Sequence, residues 1–172
     1  MQRRELFSFL STSIKDVAKE KTIQEEIKAK IRPPYFESMD AFDTQCPQCE
    51  TKNCATVCQE QIILIAEDGS PTLEFGSSGC TFCDECALAC EDDVLQLQHK
   101  RNINATVSID EGSCLSWQGV MCFSCKDPCL EDAIEFKAMF MPHIVEDKCT
   151  SCGFCLSRCP ALSIKIEGVN VA

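Results

Sequence analysis

The chain has 172 residues, 16 of them cysteine, and its 16 basic and 27 acidic side chains give a formal net charge of −11. Its hydrophobic fraction of 45% includes the cysteines, so the aliphatic core is small, and such chains usually need disulfides or metals for stability. The acidity argues against nucleic acid as a partner and is equally consistent with a basic protein partner or with simple solubility.

The first part of the chain predicts an amphipathic helical segment. Residues 4–31 contain neither Gly nor Pro, and Pro33 and Pro34 follow them as helix terminators. Such a segment either packs on the body of the protein or docks a partner. Its two apolar stripes at helical spacing are Leu6, Leu10, Ile14 and Val17, and then Ile23, Ile27 and Ile31.

Arg3 and Arg4 suggest an export signal, but the residues after them do not fit one. A secretory signal needs an apolar stretch of about 7–15 residues, whereas Lys15, Asp16 and Lys19 follow almost at once. The sequence also lacks a membrane-spanning run of about 20 apolar residues. We therefore expect a cytoplasmic protein whose thiols stay reduced and can bind metal.

The rest of the chain is a fourfold repeat. The first cysteines of the four groups are Cys46, Cys80, Cys114 and Cys149, a spacing of 34 to 35 residues. Short apolar alternations precede three groups, at residues 73–75, 107–109 and 144–146, and an apolar pair follows every group. The pattern predicts an α+β protein made of tandem bacterial-ferredoxin-like (dicluster) modules with short β-hairpins and helical turns, preceded by the helical segment. The expected divisions are 1–35, 36–104 (repeats one and two) and 105–172 (repeats three and four).

The cysteine spacing favours iron and sulfide as the bound species. The fourth group has two, two and three residues between its cysteines and ends in Cys159-Pro160, which is the bacterial ferredoxin run. The second group repeats this spacing without the proline. Structural zinc favours two separated pairs of cysteines instead, and disulfides do not suit a reducing compartment. The candidate 4Fe-4S ligands are Cys46, Cys49, Cys54 and Cys58; Cys80, Cys83, Cys86 and Cys90; Cys114, Cys122, Cys125 and Cys129; and Cys149, Cys152, Cys155 and Cys159.

Groups one and three depart from the ferredoxin spacing. Four residues separate Cys49 from Cys54, and seven separate Cys114 from Cys122. Longer loops are less pre-organised, so we expect these two of the up to four clusters to be the more labile.

The fourth cysteine of a ferredoxin run ligates the other cluster of the pair. If neighbouring groups pair, Cys90 completes the first site and Cys58 the second, while Cys159 completes the third and Cys129 the fourth. Pairing of group one with four and of two with three is the alternative.

No nucleophile–base pair, phosphate loop or dinucleotide fingerprint accompanies the cysteines, so the sequence does not predict an enzyme. His99 and His143 lie outside the cysteine loops and are not expected to be ligands. Trp117 is expected to pack over a cluster, or else to be exposed for docking.

Four cysteine groups, the long gap in the third, a proline directly after the last cysteine only in the fourth, and the segment Ile31-Arg32-Pro33-Pro34 together form a more selective pattern. In these features the chain resembles the NapF family of ferredoxin-type proteins of periplasmic nitrate reductase systems. The resemblance implies a cytoplasmic accessory protein that binds the precursor of the catalytic subunit NapA and helps it mature before export. An electron-transfer polyferredoxin serving a dehydrogenase or reductase is the alternative function.

Overall fold

The computed structural model describes residues 29–170, which form short helices and antiparallel strand pairs. In the first half of the described chain (residues 29–104), α1 spans Asp40–Thr44, α2 Asn53–Thr56, β1 Ile63–Ile65, β2 Pro71–Leu73 and α3 Glu85–Leu88. In the second half (residues 105–170), β3 spans Ala105–Ile109, β4 Ile134–Lys137, β5 Met141–Ile144, α4 Phe154–Arg158 and β6 Ile164–Gly168. Two 3-10 turns lie at Cys46–Gln48 and Leu97–His99. This content confirms the mixture of helix and strand expected from the sequence.

Each strand pair connects two neighbouring repeats. β1 follows group one and pairs with β2, which precedes group two; β4 and β5 have the same relation to groups three and four. The outer pair of the second half joins β3 to β6, with Ile109 opposite Ile164. In the first half, the corresponding connection is a hydrogen bond from the Gln96 N–H to the Tyr35 carbonyl, 2.7 Å long.

Two strands begin earlier in the sequence than the alternation pattern predicts, and each of them contains a proline near its start. Pro71 starts β2 and Pro142 lies within β5, and both strands end where alternation places their start. Proline cannot donate to a ladder, so an alternation pattern does not mark it as a strand residue. A two-stranded pair nevertheless accepts it where its nitrogen faces away from the partner.

The predicted N-terminal helical segment lies outside the described residues except at 29–31, and these three residues are not helical. Ile31 instead accepts a hydrogen bond from the Leu73 N–H (2.7 Å). The chain then enters the core of the first half directly, since Arg32, Tyr35 and Phe36 are each at most 3% exposed.

The apolar cores are small and include the cysteines themselves. The core of the first half is built around Tyr35, Phe36, Phe42 and Leu95, with Cys46 and Cys86. The second half has a smaller core, made of Val107, Cys125, Ile134 and Ile164. So few apolar residues leave the cysteine sites as a major source of cohesion.

The buried side chain of Asn104 ties the two halves together. Its oxygen accepts the Arg32 N–H at 2.7 Å, and its amide donates to the carbonyls of Lys30 and Val169 at 2.9 and 3.1 Å. One side chain thereby joins the start and the end of the described chain. No helix within residues 29–170 is long and apolar enough to cross a membrane.

Candidate iron–sulfur sites

The structure gathers the sixteen cysteines around four cavities, with four cysteines lining each. None of the sixteen forms a disulfide. The second cavity is the largest of the four and extends along Pro33, Pro34 and Tyr35. The cysteines of the four sets are Cys46, Cys49, Cys54 and Cys90; Cys58, Cys80, Cys83 and Cys86; Cys114, Cys122, Cys125 and Cys159; and Cys129, Cys149, Cys152 and Cys155.

In every set, three cysteines come from one group and the fourth from its sequence neighbour. Cys90, the last cysteine of group two, lines the first cavity, and Cys58, the last cysteine of group one, lines the second cavity. Cys159 and Cys129 exchange in the same way in the second half. The strand pairs explain this exchange, because they bring the chain after one group beside the chain before the next.

The backbone after every group has the same unusual conformation. The third residue after each fourth cysteine has a φ of +49 to +54°, in the left-handed region, although none of these residues is glycine. Turns that combine right- and left-handed residues form concave surfaces that bind anions, iron–sulfur clusters among them. The same strained position in four places is a structural repeat that the side chains alone do not reveal. The four residues are Gln61, Asp93, Asp132 and Leu162.

Groups two and four share a further pair of left-handed residues inside the loop. Phe82 and Asp84 stand two and four positions after Cys80, as Ser151 and Gly153 do after Cys149. The two loops with ferredoxin spacing therefore have left-handed residues at the same two positions.

Backbone N–H groups donate to the sulfur of three of the exchanged cysteines. The Ala133 N–H lies 3.3 Å from Cys129 Sγ, and the Leu95 N–H lies 3.5 Å from Cys90 Sγ. Cys159 Sγ receives the Ser163 N–H at 3.3 Å and has the Ser163 hydroxyl at 3.1 Å. Such bonds stabilise a thiolate and tune any cluster that the sulfur ligates.

Burial raises the pKa of seven of the sixteen thiols and so makes them reluctant to ionise without a metal. It raises the pKa of Cys86 and of Cys155 to about 12, and nearby cysteines add to the effect. Burial alone would also raise the pKa of Cys159, but the hydrogen bonds from Ser163 and from the backbone of Ala161 and Ile164 together outweigh it, and this pKa is lowered. Four sulfurs crowded at one cavity therefore need a bound cation to hold them as thiolates, and iron supplies that charge. The donor set and the anion-binding backbone both fit an iron–sulfur cluster, which when bound supplies one-electron redox chemistry.

Groups two and four meet where the two halves contact each other. The Cys80 N–H donates to the Cys152 carbonyl at 2.7 Å. Gly79 lies against the same loop, and a Cβ there would come within 2.5 Å of the Cys152 oxygen. A Cβ at Gly153 would come within 2.2 Å of the Phe75 ring. The second and fourth cysteine sets are thus in direct backbone contact.

The remaining residues noted in the sequence lie beside these sites. Trp117, in the long gap of group three, is half-buried and donates its indole N–H to the Pro142 carbonyl at 3.1 Å. His99 and His143 line none of the four cysteine cavities. Two cations, Arg32 and Lys52, lie close to the first set, and the cysteine pattern does not indicate this. Lys52 stands in the insertion of group one, and Arg32 stands in the Arg-Pro-Pro segment before it.

Comparison with known proteins agrees with this geometry. The family model described as 4Fe-4S binding domain matches residues 142–165, which include the whole fourth group. Ferredoxin-type protein NapF of Escherichia coli K12 is 31% identical over 141 residues, covering 80% of this chain and 84% of the relative. NapF of Haemophilus influenzae is 32% identical over 148 residues, covering 81% and 80%. The methylamine utilization ferredoxin-type protein MauM of Methylorubrum extorquens is 29% identical over 155 residues, covering 78% and 69%.

The cysteine sites and these similarities confirm the cofactor class predicted from the sequence, so the protein is an iron–sulfur protein of the 4Fe-4S type. The resemblance noted in the cysteine groups and the Arg-Pro-Pro segment is confirmed as well. The chain belongs to the NapF family of ferredoxin-type proteins.

Proposed function

We propose that the four cysteine sets ligate four 4Fe-4S clusters and that each half of the described chain is a two-cluster ferredoxin module. The exchange of Cys90 with Cys58, and of Cys159 with Cys129, supports this assignment, because two-cluster ferredoxins share ligands in the same way. The proposed modules are residues 36–104 and 105–172, preceded in the sequence by the segment 1–35.

Single serine substitutions in the full chain test the shared ligands. Cys90→Ser should perturb the same cluster as Cys46→Ser, although Cys90 belongs to the sequence group of Cys83. The measurement is EPR of the reduced, anaerobically reconstituted variants, with Cys83→Ser as the comparison. The assignment fails if Cys90→Ser alters the signal that Cys83→Ser alters and leaves the Cys46→Ser signal intact.

The function that fits best is maturation of a periplasmic nitrate reductase. In this proposal the protein acts in the cytoplasm, where it binds the precursor of the catalytic subunit NapA before export and assists its assembly. The observation that carries the proposal is the similarity to NapF over four-fifths of the chain. The net charge of −11 supports recognition of a basic surface on the partner.

Co-purification tests this partner. The full chain, loaded with iron and sulfide, should retain the NapA precursor, and retention should fall as salt rises if charge guides the encounter. The mature, exported form of NapA is the matched control and should bind more weakly. Equal binding of both forms argues against action before export, and no binding of either removes the proposal.

A second candidate function is electron transfer, and one contact favours it. The hydrogen bond from Cys80 to Cys152 joins the second and fourth cysteine sets through two backbone atoms. A direct link of this kind offers a route by which single electrons pass from one half to the other. The chain would then be a polyferredoxin that serves a dehydrogenase or reductase.

Deletion of the gene separates the two functions. Under maturation, nitrate reductase from the deletion strain should stay inactive even when an artificial electron donor is supplied. Under electron transfer, the same donor should restore full activity, because the reductase itself is complete. The assay is nitrate reduction in extracts with reduced viologen, with the complemented strain as the control.

A further inference from the structure

The two additional residues in group one bring a lysine into the first cysteine site. Lys52 lies between Cys49 and Cys54, has a left-handed φ of +48° and is half-buried. Its ammonium group donates to the carbonyl of Cys46 and, at 2.8 Å, to the carbonyl of Gly69. The side chain therefore joins the insertion to the start of its own cysteine loop and ties that loop to the β1–β2 turn.

A second cation lies beside the same site. Arg32 is 3% exposed, and its guanidinium donates to Ser70 Oγ and to the Pro71 carbonyl, each at 2.7 Å. Its carboxylate partner, Asp43, is 3.4 Å away and largely exposed, so water weakens that pairing. Lys52 has no carboxylate within ion-pair distance in the part of the chain that the structure describes. Lys52 and Pro71 both line the first cavity beside its four cysteines, so Lys52 lies at that site and Arg32, which donates to the Pro71 carbonyl, lies directly behind it.

Among the described residues that line the four cysteine cavities, Lys52 is the only lysine or arginine, so this charge acts on the first set in particular. Burial raises the pKa of Cys46 and of Cys54 to about 11, neighbouring cysteines raise it further, and Lys52 opposes both effects. Arg32 opposes the shift at Cys46 as well. For the cysteines of the other three sets whose pKa is shifted, burial, other cysteines and hydrogen bonds are the main causes, and no cation is among them.

We propose that Lys52 is a positioning residue that holds the first cysteine loop and, together with Arg32, raises the reduction potential of its cluster relative to the same site without them. Reduction adds one electron and no proton to the cluster, so its negative charge grows by one. A nearby cation stabilises that added charge. The proposal rests on the ligand assignment given above and goes beyond the proposed function, because it assigns a role to residues outside the cysteines.

Redox titration of the full chain tests the role of Lys52. Anaerobically reconstituted protein is reduced stepwise with dithionite and followed by EPR, and Cys46→Ser identifies the signal of the first cluster. In Lys52→Gln that signal alone should move to a more negative potential. Lys52→Arg should keep the wild-type potential because it keeps the charge. Lys137→Gln is the matched control, since it removes one positive charge from the exposed end of β4.

A second supporting result is that Lys52→Gln loses about four irons while its far-UV spectrum is unchanged and Lys52→Arg keeps all its irons. This result would support the positioning role. The proposal is overturned if Lys52→Gln keeps all irons and all potentials, if every signal shifts equally, or if Lys52→Arg shifts as Lys52→Gln does. These results concern the isolated protein, so they do not bear on binding of the NapA precursor. The Cys46→Ser signal tests the ligand assignment separately.

Discussion

Replacing Gly153 by alanine should weaken the contact between the two halves. Gly153 has a φ of +86°, and a Cβ there would lie 2.2, 2.6 and 2.7 Å from three atoms of the Phe75 ring. No Cβ fits at these distances, so the ring or the group-four loop has to move. Because Gly153 directly follows Cys152, the movement reaches the fourth cysteine set.

Gly119 gives a matched control for the backbone part of this effect. Its φ is +81°, and no atom lies within 4 Å of the position of its Cβ. Alanine in the left-handed conformation costs about 1–2 kcal/mol at either position. Overpacking adds about 1–3 kcal/mol at Gly153 alone. The difference between the two variants therefore measures the packing of the group-four loop on Phe75.

The assay is thermal denaturation of the cluster-loaded protein under anaerobic conditions, at one scan rate because cluster loss is irreversible. At about 2–4 °C per kcal/mol for a chain of this size, Gly153→Ala should melt about 2–12 °C below Gly119→Ala. Gly79→Ala, which carries no left-handed backbone cost, should melt below the unsubstituted chain, since its Cβ would meet backbone atoms of the group-four loop. Equal melting temperatures for Gly153→Ala and Gly119→Ala, with Gly79→Ala melting like the unsubstituted chain, would refute the packing of the two halves through these loops.

Two further substitutions address single hydrogen-bonded groups. Ser163→Ala removes the hydroxyl that lies 3.1 Å from Cys159 Sγ, so the reduction potential of the third cluster should become more negative. A redox titration in which this potential stays at the wild-type value would contradict the role of the hydroxyl. Asn104→Ala removes a 3% exposed side chain that binds three backbone groups, and should cost roughly 1–3 kcal/mol in the free energy of unfolding. The Asn104→Ala protein should melt at a lower temperature than the Asn102→Ala control, in which the replaced side chain is exposed. Equal melting temperatures for the two variants would show that Asn104 does not join the chain ends.

Spacing alone predicted the cofactor, since three cysteines within seven residues suit a cluster. The structure brings the cysteines together in the sets that neighbour pairing predicts, with Cys90 and Cys58 exchanged. The sequence alone left that choice open because it depends on which strands pair. Strand pairing is a long-range property that the nearly uniform repeat spacing favours but does not determine.

Other features were not predictable because they depend on packing or on backbone conformation. Gln61 and Leu162 are ordinary residues whose left-handed conformation is imposed by the turn after a cysteine, not by their side chains. Lys52 was visible only as part of an insertion that suggested a looser, more labile loop. Its contacts with the carbonyls of Cys46 and Gly69 give the longer loop an internal support that spacing does not show.

The most direct test of this account is the iron and acid-labile sulfide content of the full chain after anaerobic reconstitution. Four sets of four cysteines predict about sixteen irons and about sixteen sulfides per chain. Eight or fewer of each would contradict the four-cluster account and restrict the clusters to the two groups with ferredoxin spacing.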